Sequence, residues 1–188
     1  MVYLKYSGTI AGREALGQLT EEFVDICRIS GWEYELVREN FQSMTSKPGI
    51  QDGAAGRDDG DAETHTLSSS EVYLEGIVIK PWQDHDPIRL TFDRAGRIST
   101  IAFSATDTQG FNKKLTVKKY EFLYYPYIKL FTRCYEEHVQ AVKILDYVKK
   151  RYVRDLEVLD PSFYWVARDD EQLRVKFWRA LKNKDLII

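Results

Sequence analysis

The chain has 188 residues, of which 44% are hydrophobic, 13% aromatic and 30% charged. This composition excludes a disordered chain, and the length favours one domain, residues 1–188, large enough to bury a hydrophobic core. The formal net charge of −2 excludes a protein that binds polyanions through its bulk charge.

The sequence predicts a cytoplasmic protein with no membrane segment. Its first residues lack the basic start, apolar core and small-residue cleavage site of a secretory signal. No run of apolar residues approaches the roughly 18 that a membrane span needs. Cys27 and Cys134 lie in segments predicted to be packed, and we interpret them as reduced thiols, although their spacing leaves open whether they approach each other.

An amphipathic helix is the first predicted element. Apolar residues recur at steps of three and four from Leu16 to Cys27, and Gly31 follows at the position where a left-handed residue ends a helix. From Trp32 to Val37 the period switches to two, which predicts a strand with one wet face.

Residues 43–70 are predicted to form a mobile acidic loop, rich in glycine and serine, inserted between two strands. Between Asp52 and Glu63 the segment carries five carboxylates and one arginine, and it has no apolar period. Such a stretch cannot offset its ordering entropy by burying apolar surface. It is either a solvated excursion without a role, or a lid or partner-binding segment.

Four further strands are predicted, at residues 71–80, 88–92, 97–103 and 115–124. Gly76 lies in the middle of the first of these and indicates a bulge or a close backbone approach. Asp93-Arg94-Ala95-Gly96 predicts a tight turn in which Gly96 adopts a positive φ.

Two helices are predicted to close the chain, one from about Tyr135 to Arg154 and one after the capping residue Asp169. Short extended pieces are expected between them, at residues 156–158 and 163–166. The predicted fold class is therefore α+β, with a single mainly antiparallel sheet of five or more strands and about three helices packed on one face.

Asp84-His85-Asp86 is the first candidate site, because an imidazole flanked by carboxylates can bind a divalent metal or act as a general base. A polar hairpin loop with Asx-type turns is the alternative. Adjacent residues rarely ligate one ion together, so no metal site and no cofactor are predicted. Glu137 and His138 lie at the start of the predicted long helix. A carboxylate in the first turn suits the helix dipole, which accounts for Glu137, and His138 is interpreted as a surface or boundary residue.

Basic residues form the second candidate surface. Lys143, Lys150 and Arg154 share a face of the long helix, and the last helix carries five more basic residues. A basic face suits phosphate backbones, an acidic partner or the chain's own acidic loop, whereas an ordinary solvated helix face is the alternative.

The third candidate surface is aromatic. Tyr120, Phe122 and Tyr124 alternate on one face of a predicted strand, and Lys118 precedes them on the same face. If no helix covers this face it is a stacking platform or a protein-binding surface, and if one does it is core.

No nucleophile elbow, phosphate-binding loop or activated cysteine is visible, which favours a non-enzymatic protein without excluding catalysis. The leading hypothesis is an interaction module that binds a protein, another macromolecule or a second copy of itself through the aromatic sheet face or the basic helices. The second hypothesis is a small-ligand enzyme with a pocket near His85, covered by residues 43–70. The third is single-stranded nucleic-acid binding, which the modest pI disfavours.

Overall fold

A computed structural model describes residues 2–42, 71–109 and 116–182; the predicted loop at residues 43–70 lies outside these ranges. The elements are, in chain order, β1 (Val2–Ser7), α1 (Gly12–Ser30), β2 (Glu33–Gln42), β3 (Glu71–Lys80), β4 (Ile88–Phe92), β5 (Thr100–Gln109), β6 (Thr116–Tyr125), β7 (Ile128–Thr132), α2 (Tyr135–Arg151), β8 (Glu157–Leu159), α3 (Tyr164–Ala167) and α4 (Asp170–Lys182). None of these described helices has the length and hydropathy required to cross a bilayer.

The strands form three small antiparallel sheets. Their orders are β7-β1-β8, β2-β3-β4 and β5-β6. The α+β class is therefore right, but the prediction of a single sheet of five or more strands is wrong. Sheet pairing uses backbone groups that every residue carries, so an alternating pattern shows where a strand forms and not which edge it joins.

The hairpin after β4 shows where the expected sheet breaks. Gly96 has a φ of 78° and its amide donates to the carbonyl of Asp93 at 2.9 Å, which confirms the tight turn. The returning chain pairs with β4 only through the Phe92–Ile98 bridge. From Thr100 onward it pairs with β6 instead, and the two strands make a separate ribbon.

Helix α1 forms as predicted. Its stripe is buried at Leu16, Leu19, Phe23 and Cys27, and Gly31 ends it with a φ of 68°. The helix packs on β2 and β3.

Gly76 permits a close approach of two strands, as predicted. A Cβ on this residue would lie 2.1 Å from the carbonyl oxygen of Leu90 on the paired strand β4, and its φ is 147°. Only glycine fits this position without moving β4.

The last two long helices are also confirmed, with one local correction between them. Asp169 caps α4, because its Oδ1 accepts the amide of Gln172 at 2.9 Å. The segment predicted to be extended at residues 163–166 is instead the short helix α3, entered through Phe163 with a φ of 66°. The carboxylate of Asp160 accepts the amides of Ser162 and Trp165, which holds residues 160–165 in this turn, and the distant His138 of α2 contacts the same carboxylate.

One hydrophobic cluster joins two of the three sheets and the long helices. It includes the fully buried Leu4 and Tyr6 of β1, the stripe of α1, and the buried faces of β3, β4, β7, α2 and α4. Helix α1 covers the β2-β3-β4 sheet, whereas α2 contacts β7 and α4. The helices therefore cover different sheets, and the prediction that they share one face is wrong. The β2-β3-β4 sheet thus buries its apolar side against α1, and β7 packs against α2.

Candidate functional site

The predicted Asp84-His85-Asp86 site does not converge on one point. Asp84 is exposed, with a φ of 60°. Asp86 Oδ2 accepts the amide of Phe131 on β7 at 3.3 Å. His85 Nδ1 contacts the carboxylate of Glu137 in the first turn of α2, without an aligned hydrogen bond. His85 and Asp86 thus fasten the β3–β4 connection to α2 and β7.

Glu137 organises the start of α2. It is 2% exposed, its Oε2 accepts the amide of Arg133 at 2.8 Å and its Oε1 accepts the Sγ–H of Cys134 at 3.4 Å. Burial, reinforced by the neighbouring carboxylate, raises the pKa of the Cys134 thiol. The sulfur therefore stays protonated and is a poor nucleophile.

His138 lies in the core, and its interpretation as a surface or boundary residue is wrong. It is fully buried, with Nδ1 lying 3.0 Å from Thr132 Oγ1 and Nε2 lying 3.3 Å from Asp160 Oδ2 and 3.2 Å from Ser162 Oγ. A hydrolase triad places the serine and the carboxylate on opposite ring nitrogens. Here both contact Nε2, so this buried network fastens residues 160–165 to α2.

Asp160 is ionised within that network. Burial opposes its ionisation, but hydrogen bonds from His138, Ser162 and Trp165 outweigh burial and lower its pKa to about 2. A buried carboxylate that accepts several hydrogen bonds stabilises the fold as an anion.

Tyr124 forms hydrogen bonds that hold two parts of the fold together. Its hydroxyl donates to Asp93 Oδ2 at 2.7 Å and lies 2.9 Å from Ser99 Oγ, so it ties the β5–β6 ribbon to the turn after β4. Burial raises its pKa. The side chains of Lys118, Tyr120 and Phe122 lie outside the described part of the chain, and their shared surface stays a prediction.

The basic face of α2 is partly neutralised. Lys150 Nζ lies 2.6 Å from Asp146 Oδ2, while Lys143 is exposed. The prediction that Arg154 shares this helix face is wrong, because α2 ends at Arg151 and Arg154 lies exposed in the turn that follows. Exposed lysines near their own acidic neighbours are typical of a solvated helix.

A groove between the start of α2 and α4 is the strongest candidate site, and the sequence reasoning missed it. This α2–α4 groove has a volume of about 540 Å³. Its walls are largely apolar and include Tyr135, Val175, Trp178 and Leu181, and its rim carries Arg133, Arg174 and Arg179.

Three apolar side chains of α4 face solvent in this groove. Val175 is 41% exposed, Trp178 56% and Leu181 58%. The spacing of four residues from Leu173 through Phe177 to Leu181 predicts one core stripe, but only Leu173 and Phe177 are buried. The three-residue steps of the exposed side chains were the available signal, since they trace a second stripe beside the first.

The rim of the groove carries three arginines, of which Arg174 has a carboxylate nearby: hydrogen bonds from Tyr135 and Tyr164, together with the charge of Arg174, lower the pKa of Asp170. No carboxylate lies among the described lining residues of the groove, and no described carboxylate forms an ion pair with Arg133 or Arg179. The Arg174 guanidinium lies 3.8 Å from the centre of the Tyr135 ring, a stacking geometry that orders it.

A second cavity, of about 440 Å³, lies between α1 and β2–β3. Its charges balance, because Arg13 and Arg38 are accompanied by Glu21 and Glu75, and Arg38 is the cross-strand neighbour of Glu75. A cavity whose charges balance attracts a charged ligand less strongly than the arginine-lined α2–α4 groove does.

No group of three potential ligand side chains in the described ranges is placed to hold a metal ion. Both cysteines are free thiols, with Cys27 buried and Cys134 partly exposed. Comparison of the chain with family models, curated proteins and solved structures finds no match.

Proposed function

We propose that this chain is a cytoplasmic, non-enzymatic interaction module that binds a peptide segment of another protein in the α2–α4 groove. The observation that carries the proposal is the solvent-facing apolar stripe of Val175, Trp178 and Leu181 inside a concave groove. A groove of about 540 Å³ is large enough for a few side chains of a bound segment. The free thiols suit a reducing compartment.

The protonation of Cys134 and the contacts of Ser162 support binding over catalysis. Cys134, which lines the groove, has a raised pKa, and Ser162, which contacts His138, is buried and shares one ring nitrogen of that histidine with Asp160. Neither arrangement presents an activated nucleophile to a substrate.

The apolar side chains of the groove have enough area left to contribute to binding. Burying a large side chain completely stabilises a complex by about 1.5–3 kcal/mol. Trp178 and Leu181 each retain more than half of their surface. Truncating either one is therefore expected to weaken binding by about 10-fold or more.

The test is a selection of short peptides from a random displayed library on the purified protein. The selected peptides should share apolar residues and should bind the Trp178→Ala and Leu181→Ala variants at least about 10-fold more weakly than the parent protein. The matched control is Ile29→Ala, which removes an 87% exposed apolar side chain of α1 outside the groove and should leave the affinity unchanged.

Circular dichroism and urea titration should show that all three variants fold, since each replaced side chain faces solvent. Two results would contradict the proposal. One is that no peptide sequence is enriched on the parent protein. The other is that enriched peptides bind Trp178→Ala as tightly as they bind the parent.

A further inference from the structure

We infer that the peptide bound in the α2–α4 groove is acidic, with carboxylates flanking its apolar side chains. This inference rests on the proposed function and names the chemistry of the partner. It is carried by the contrast between the apolar walls of the groove and the arginines on its rim, of which Arg133 and Arg179 form no ion pair with a described carboxylate.

The arginines are positioned by the fold. The amide of Arg133 donates to the buried carboxylate of Glu137 at 2.8 Å, which fixes where its side chain leaves the backbone. Arg174 is ordered by its stacking on Tyr135. Groups that are already ordered lose less conformational freedom when a partner binds.

Guanidinium groups match carboxylates in shape as well as in charge. Each presents a planar fork of N–H donors that pairs with both oxygens of a carboxylate. Arg174 and Arg179 are five residues apart on α4, which separates their backbone positions by about 7.5 Å along the helix axis. Carboxylates on two different residues of an extended segment can therefore meet them while an apolar side chain enters between them.

A second copy of this chain is a poorer occupant. In a two-fold dimer the same surface of both copies meets, so the arginine rim of one copy would lie close to the arginine rim of the other. Like charges in an interface disfavour association, whereas a partner with opposite charge is favoured.

The probes are the peptides recovered by the selection, each made in three versions that share the same apolar residues. One version carries Asp or Glu at the flanking positions, one carries the matching amides, and one carries Lys. Affinities are measured by fluorescence polarisation at low and high salt. The acidic version should bind about tenfold more tightly than the amide version, and this advantage should shrink as salt screens the rim.

Charge reversal on the protein supplies the reciprocal test. The double variant Arg133→Glu/Arg179→Glu should reverse the preference and bind the Lys version most tightly. The matched control is Arg154→Glu, which reverses an exposed charge outside the groove and should keep the parent's preference.

The outcomes separate this inference from the proposed function. If the acidic and amide versions bind equally while Trp178→Ala still loses both, the groove binds peptides and only the inferred acidity is overturned. If an oligothymidylate or a phosphatidylserine vesicle binds the parent more tightly than every acidic peptide, and the double variant loses that binding, the partner is a nucleic acid or a membrane and the inference is overturned. Dimerisation of the parent in sedimentation experiments, lost in Trp178→Ala, overturns it in favour of a second copy.

Discussion

Replacing Asp160 with Asn tests whether the buried network under α2 is held by an ionised carboxylate. The two carboxylate oxygens accept the amides of Ser162 at 2.7 Å and Trp165 at 2.8 Å, and one of them lies 3.3 Å from His138 Nε2. An amide group has the same shape but only one acceptor oxygen. One of the two backbone amides then faces an NH₂ group and loses its partner.

The expected loss follows from the pKa of Asp160. Its pKa falls from 3.8 to about 2 on folding. A difference of this size corresponds to about 2 kcal/mol at neutral pH, and the stranded amide adds to it, so we expect Asp160→Asn to lower the free energy of unfolding by about 2–3 kcal/mol.

The assay is urea unfolding at a series of pH values. A carboxyl whose pKa is lowered in the folded state stabilises the protein above its unfolded pKa, and that contribution disappears as pH falls from 3.8 through about 2. The difference between the parent and Asp160→Asn should therefore be full at pH 7 and should shrink below about pH 4. The control is Asp25→Asn, which alters an exposed pair with Arg28 and should change stability little.

Two results would refute this reasoning. If Asp160→Asn unfolded at the same urea concentration as the parent, the carboxylate would not be a net stabilising group. A loss of stability that stays constant from pH 7 down to pH 2 would mean that the charge of Asp160 is not its source.

The remaining predictions concern glycine positions and the ribbon contact. Gly76→Ala should destabilise the protein by more than about 2 kcal/mol in thermal unfolding, because its Cβ would overlap the Leu90 carbonyl; an unchanged Tm would contradict the described β3–β4 contact. Gly17→Ala should raise stability by about 0.5–1 kcal/mol, since a Cβ there meets no atom within 4 Å in α1; a loss would show an unseen contact. Tyr124→Phe should cost about 1–2 kcal/mol in urea unfolding by removing the bond to Asp93, and a neutral result would argue against that bond.

The elements with strong local signals were predictable. The stripe and glycine stop of α1, the turn closed by Gly96, the close approach at Gly76 and the cap at Asp169 all appear where the residue pattern places them. Each of these depends on residues close together in the chain or on a steric property of glycine.

The candidate site was harder to predict because its parts are distant in sequence. Trp178 and Arg174 were visible as residues of an amphipathic basic helix, but the opposing wall at Tyr135 lies about forty residues earlier in the chain. The periodicity of α4 does not show that Leu181 is left uncovered beyond the contact with α2.

The sequence by itself determined α1, α2, α4 and the strands between Glu33 and Tyr125, because side-chain periodicity and the conformational limits of glycine act within a few residues. It did not predict β1, β7 or the short helix α3. Only the tertiary structure decided that the strands divide into three sheets, that His138 is buried against Asp160, and that the stripe ending at Leu181 faces a groove. The physical reason is that backbone edges pair without regard to side-chain identity. Burial depends on which distant surfaces meet. A local sequence pattern therefore shows neither which strands pair nor which apolar stripe is buried.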